Sequence, residues 1–214
     1  MPKYSILKKT NMLFSLMDIA RTFASLLKKT KNTLTKNDPH FFVSLNKQQT
    51  PRYMFISCSD SRVDPGILFN LLPGDAFVTQ NIAAWVPACK EPSPSPCNIH
   101  ASLLFAIDNL KVQHIIILGH KNCGGIETML NPPKHLAKPL ADYTQSLTPS
   151  KESLHLCQKQ PYATIHSAWK NLHTYPCVQH AMLQHTLSLH AWCFDIGACQ
   201  LEAFDAKQSR FIRL

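Results

Sequence analysis

Long apolar runs are missing from this 214-residue chain. None approaches the roughly 20 residues that a membrane-spanning helix needs. The apolar stretch Met12 to Met17 is short and is interrupted by Asp18. No small-residue cleavage site accompanies it, so export through a signal peptide is not expected. Charged side chains are also scarce, at 16% against 45% hydrophobic residues, a balance that excludes a disordered chain and implies a packed core. Acids are the scarcer sign: 13 Asp and Glu against 22 Lys and Arg leave a net charge of +9. The lysines gather in the amino-terminal arm or scatter, with no helix-turn-helix, RNP or zinc-finger spacing, so no nucleic-acid partner is expected. A positive field instead favours a small anionic substrate or product. The basic residues Lys3, Lys8, Lys9, Arg21, Lys28, Lys29 and Lys31 against the single acid Asp18 keep organelle import as an alternative to the cytoplasm.

What is present is a pair of motifs. Cys58-Ser59-Asp60-Ser61-Arg62 follows the strand-like run Tyr53 to Ser57, and His120-Lys121-Asn122-Cys123-Gly124-Gly125 follows His114 to Gly119. Two thiols and an imidazole are thereby expected at the carboxyl ends of strands, where open α/β sheets place their ligand sites. A Cys₂His set with an open fourth position is a known catalytic zinc arrangement, whereas a closed structural site takes a fourth protein ligand. Soft thiolates with imidazole select Zn²⁺ over hard cations. The same cysteines could serve as nucleophiles in a Cys/His enzyme, but no second general base accompanies either thiol. Cys123 stands where a helix begins, which lowers a thiol pKa, and the glycines after it let backbone approach the metal. Asp60 can accept a hydrogen bond from a water in the open position or take that position itself. Arg62 can hold Asp60 in a bidentate pair and keep it ionised; the plainer alternative is a structural salt bridge. The other six cysteines, Cys89, Cys97, Cys157, Cys177, Cys193 and Cys199, read as buried or loop thiols in a reducing compartment. A local bridge between Cys89 and Cys97 is the most plausible exception.

The rest of the chain predicts an α/β fold with a mostly parallel central β-sheet flanked by helices. Apolar spacing predicts a helix over Asn11 to Lys29, either an arm on a partner subunit or a cover for the chain's own core. Asp38 is a candidate cap for a short helix at Phe41-Phe42. A helix over Pro65 to Leu72, a strand at Ala76 to Thr79 and a stiff proline-rich loop over Val86 to Asn98 come next. A helix from Asn98 to Lys111, buried through Leu103, Leu104, Ile107 and Leu110, then leads by a parallel crossover into the His114 strand. The stretch from Leu130 to Pro161 is proline-broken and gives no order. Helices near Thr164 to Leu172 and Pro176 to Thr186, a strand over Leu187 to Phe194 and an edge strand from Leu201 or Phe211 complete the reading. The histidines at 166, 173, 180, 185 and 190 match no ligand spacing and read as exposed or satisfied side chains.

Cys58-Ser59-Asp60-Ser61-Arg62-Val63, Pro73-Gly74-Asp75-Ala76-Phe77-Val78, Asn81-Ile82-Ala83 and Gly119 to Ile126 together resemble the β-class carbonic anhydrases. The resemblance extends from Asp38 to about Phe204. It implies a zinc lyase that converts CO2 reversibly to bicarbonate and a proton, with an amino-terminal helical arm over 1–36 and a catalytic domain over 37–214. It implies one Zn²⁺ per subunit on Cys58, His120 and Cys123, with Asp60 bound to zinc in an inactive state and turned to Arg62 in an active one. It implies Gln49 as a substrate hydrogen-bonder, often across a dimer interface, Phe77 and Ile82 as apolar pocket positions, and a homodimer or homotetramer. For Phe77 and Ile82, ordinary core packing is nearly as good an explanation. Two other readings stay open: a hydrolase of CS2 or COS on the same scaffold, and a non-catalytic zinc-stabilised binding or regulatory module. Some bacterial members carry an inhibitory bicarbonate site built from Trp, Arg and Tyr, where this chain has Phe55, Gln80 and Phe194; the resemblance therefore implies that this pocket is absent here. Two thiolates cancel the formal charge of zinc and should acidify water less than a dicationic centre, so activity is expected to rise toward alkaline pH.

Overall fold

The computed structural model describes residues 16–36, 38–90, 97–157 and 159–214. The chain divides into two compact units, Met1–Gln48 and Gln49–Leu214. The first contains helices α1 (Leu16–Leu34) and α2 (Phe41–Leu45). The predicted amino-terminal helix thus runs past Lys29, and its proposed first turns lie outside the described residues. Phe23, Leu26 and Leu27 on α1 are exposed. Asp38 does not cap α2. Its Oδ1 accepts the His40 N–H at 2.9 Å, two residues too early, and His40 holds the cap position without a side-chain bond.

The second unit is built on a six-stranded sheet: β1 (Tyr53–Cys58), β2 (Ala76–Asn81), β3 (His114–His120), β4 (Ser188–Asp195), β5 (Gln200–Asp205) and β6 (Arg210–Arg213). Their order is β2-β1-β3-β4-β5-β6. The first four pair in parallel, and β4, β5 and β6 pair antiparallel. The expected single edge strand is therefore a hairpin. Ile115, Ile116, Ile117 and Leu118 are almost wholly buried, as befits a parallel strand covered on both faces. Alternation divides them: Met54, Ile56, Ile115 and Ile117 enter one core, while Phe55, Ile116 and Leu118 enter another with Val63 and Phe194. Each fully buried Ile contributes about 1.5–3 kcal/mol, so this register is strongly specified.

Helices α3 (Pro65–Leu68), α4 (Asn98–Leu104), α5 (Gly124–Leu130), α6 (Lys138–Ser146), α7 (Lys151–Cys157), α8 (Tyr162–Leu172) and α9 (Pro176–Leu183) fill the connections. The α3 helix is capped by Asp64 Oδ1, which accepts the Ile67 N–H at 2.9 Å. It stops before the expected Leu72 because Asn70 turns left-handed, φ 51°. The Leu71 N–H then bonds back to the Gly66 carbonyl and the Asn70 N–H to that of Ile67, the two bonds of a Schellman ending. α4 passes into a π turn over Phe105–Asn109, which alters the buried stripe. Leu103 and Ile107 are buried, but Leu104 is 40% exposed. α8 lies close on the sheet, since a Cβ at Gly119 would stand 2.5 Å from Ile165 Cδ1. His166 on α8 is buried, its Nδ1 2.9 Å from Ser153 Oγ. Cys89 and Cys97 form no disulfide with each other; Pro92, Pro94 and Pro96 lie outside the described residues. Among the described residues no helix is long and apolar enough to cross a membrane.

Candidate metal centre

Parallel pairing of β1 with β3 brings their carboxyl ends side by side, Ser57 opposite Leu118. Cys58 ends β1 and His120 ends β3. Asn122 then adopts φ 56°, a conformation that Asn tolerates better than most residues. The turn brings Cys123, the residue before α5, back toward His120. The Sγ atoms of Cys58 and Cys123 and a ring nitrogen of His120 lie within 4.8 Å of one another, and all three residues are buried. The two sulfurs are 3.8 Å apart. That is the edge of a tetrahedron whose centre lies about 2.3 Å from each sulfur, the Zn–S bond length.

His120 supports the same fit. Its Nδ1 lies 2.9 Å from the Lys121 carbonyl and so carries the proton. Nε2 is left with a free lone pair, and it is buried without a hydrogen-bond partner. A buried nitrogen in that state needs a partner, and a soft divalent cation between it and two thiolates supplies one. The hydrogen bond between the two sulfurs holds the Cys123 thiol down and pushes the Cys58 thiol far up.

Asp60 stands beside these ligands. Its Oδ2 is 3.6 Å from His120 Nε2, yet it is turned to Arg62, which donates from Nε to Oδ1 at 2.8 Å and from Nη2 to Oδ2 at 2.6 Å. The Arg62 N–H adds a third bond at 3.0 Å. This hydrogen bonding holds the Asp60 carboxyl well below the usual carboxylate range. A cavity of about 280 Å³ opens on Cys58, Asp60 and Cys123 and is walled by Ile82, Leu140 and Thr144. A larger cavity of about 720 Å³, lined by His114, His180 and His185 among others, holds none of the clustered ligands.

A family model described as carbonic anhydrase matches residues 53–201. The chain belongs to the β-carbonic anhydrase family. A carbonic anhydrase of Pseudomonas aeruginosa is 32% identical to it over 81% of this chain and 82% of its own length. The chloroplastic β-carbonic anhydrase 5 of Arabidopsis thaliana is 29% identical over 78% of this chain, which spans only 58% of that relative. Among solved structures, a tetrameric β-carbonic anhydrase of Sordaria macrospora superposes with a TM-score of 0.67 at 28% identity, over 87% of this chain and 98% of its own.

Not every candidate of this β-carbonic anhydrase chain meets at the cavity. Ile82 lines it. Phe77 is half-buried and faces Phe105, ring centres 5.7 Å apart, outside the lining. Gln49 is exposed in the stretch before β1 and is also outside it. The glycines divide as well. A Cβ on Gly125 would overlap Ile82 Cγ2, while one on Gly124 meets nothing within 4 Å, so Gly125 serves helix packing at the cavity wall. Sequence reasoning missed Leu140 and Thr144. Both lie on α6, inside the stretch whose prolines obscured any period. Tyr143 between them donates to the Ile82 carbonyl at 3.0 Å and ties α6 to the wall. Phe55 stacks on Phe69 at 5.6 Å, and Phe194 is buried.

Proposed function

We propose that this protein catalyses the reversible hydration of CO2 to bicarbonate and a proton, with one zinc ion held by Cys58 Sγ, His120 Nε2 and Cys123 Sγ. The observation that carries this reading is the buried three-ligand set opening onto a small cavity beside an ionised carboxylate. Zinc bound there would supply a Lewis acid that makes a water in the fourth position easier to deprotonate.

The chain's own residues do the rest. Asp60, anionic and 3.6 Å from His120 Nε2, accepts a hydrogen bond from the attacking water and aims its lone pair into the cavity. Arg62 keeps Asp60 ionised and turned aside, so the carboxylate orients the water rather than replacing it. Ile82 and Leu140 offer an apolar wall that suits CO2, a solute with little need of hydrogen bonds. Phe77, packed against Phe105 outside the lining, serves the core rather than the substrate. Gln49, exposed in the single chain, would reach substrate in a neighbouring subunit's site, which makes a homodimer or homotetramer the working form. Thiolate ligands suit a reducing compartment, the cytoplasm.

Stopped-flow CO2 hydration by the zinc-loaded protein at alkaline pH tests the reading, with Cys58→Ser and Asp60→Ala beside it. Hydration should require zinc, vanish in Cys58→Ser and fall in Asp60→Ala. Zinc bound in full without hydration would sink the proposal in favour of a binding module. Hydration by zinc-free protein would sink the metal assignment.

A further inference from the structure

The protonated side of His120 leads away from the cavity. The Lys121 carbonyl that accepts from Nδ1 lies just past the end of β3. One backbone bond holds this residue to the sheet, from the Lys121 N–H to the Phe194 carbonyl at 2.9 Å, and the chain turns sharply at Asn122. The Lys121 side chain adds a second hold. Its Nζ is 2.9 Å from Asp195 Oδ2 at the end of β4 and 3.5 Å from Glu202 Oε1 on β5. Tyr162, the first residue of α8, donates to Glu202 Oε2 at 2.5 Å. Asp195 also accepts the Ala198 N–H at 3.0 Å.

We propose that Lys121, Asp195, Glu202 and Tyr162 are positioning residues for the metal centre, a clamp that fixes the Lys121 peptide and through it the tautomer and aim of His120. An isolated surface ion pair contributes little. Here the charged groups are each at least two-thirds buried, come from the ends or middles of separate strands, and meet at Nζ of the residue whose carbonyl His120 needs. Groups that orient a ligand histidine act on metal affinity as well as geometry. The carboxyl-terminal hairpin, remote in sequence, becomes part of the site's support through Glu202. The inference rests on the zinc reading above.

The test compares full-length Lys121→Met, Asp195→Asn and Glu202→Gln with the parent. Zinc affinity is measured by chelator competition, and ligand geometry by the visible absorption of the Co²⁺-loaded proteins. Lys121→Met and Asp195→Asn should bind zinc about 10- to 100-fold more weakly and shift the cobalt bands; Lys121→Arg should recover most of both. Asp195→Asn keeps an acceptor for Ala198 and carries the test if Lys121→Met does not fold. Lys170→Met, which removes the Lys170–Glu152 pair, should leave zinc affinity unchanged whatever it does to Tm. Variants that bind zinc as tightly as the parent with unshifted cobalt bands would overturn the clamp, even if their Tm fell. A parent that takes up no zinc would sink the zinc reading and the clamp with it.

Discussion

Replacing Arg62 by Met should leave zinc in place and push activity toward higher pH. In the proposed mechanism Asp60 has two destinations, Arg62 or the open metal position, and it lies 3.6 Å from His120 Nε2. The pair at 2.8 and 2.6 Å is bidentate and charge-assisted. Arg62 is 53% exposed, so solvent screening weakens the pair. Its loss should shift the balance roughly two- to fivefold toward the carboxylate-closed state. Water competes better for the position as pH rises, so the rate profile should move by roughly half a pH unit rather than collapse. Asp60→Ala removes the competitor: its rate falls, but adding Arg62→Met to it should cause no further shift. Stopped-flow profiles of the parent, the two single variants and the double variant decide the matter, with zinc content measured in each. An Arg62→Met profile that coincides with the parent's would refute the switch.

In the unmodified protein, hydration should rise from neutral toward alkaline pH, because two thiolates neutralise the metal. Asp60 cannot supply that rise: its lowered pKa leaves it ionised throughout, and its contribution to stability is complete above its ordinary value of 3.8 and lost only as pH falls through the lowered one. A rate flat across this range would contradict the assignment. Gly125→Ala should cost about 1–3 kcal/mol by forcing Ile82 aside, read as a lowered Tm, whereas Gly124→Ala should change Tm little. Bicarbonate should inhibit without cooperativity, since Phe55 and Phe194 are packed into the core beside Trp192 and offer no cationic group; a steep sigmoidal inhibition curve would show otherwise.

The cluster of Cys58, His120 and Cys123 was legible because strand ends are legible. Buried runs before Cys58 and His120 fixed where two side chains would emerge, and parallel pairing did the rest. Asp60 and Arg62 were readable for the same reason, two and four residues past a strand's last ligand. The α6 wall was not. Leu140 and Thr144 matter through Ile82, about 60 residues earlier, and a nine-residue helix with a proline near its start has little periodicity of its own. Leu104 was misplaced because a π turn changes the angular step between residues without a sequence mark. The Lys121 clamp joins residues 74 and 81 positions apart, a separation at which charge spacing says nothing. Gly125 looked like a means of approaching metal. Only the position of Ile82 shows that it serves packing.

Burial divides the centre into a fixed half and a movable half. Cys58, His120 and Cys123 are at most 5% exposed, two of them belong to paired strands, and close packing leaves them few alternative rotamers. Asp60 and Arg62 sit on the turn beyond β1, with side chains 16% and 53% exposed, where a rotation displaces little else. Core packing can therefore hold the metal geometry constant while the carboxylate swings. Changes to the fixed half, or to the clamp behind His120, should act first on zinc affinity. Changes to Asp60 and Arg62 should act on rate and pH profile at unchanged zinc content. A variant at Arg62 that lost its metal would show that the two halves are one.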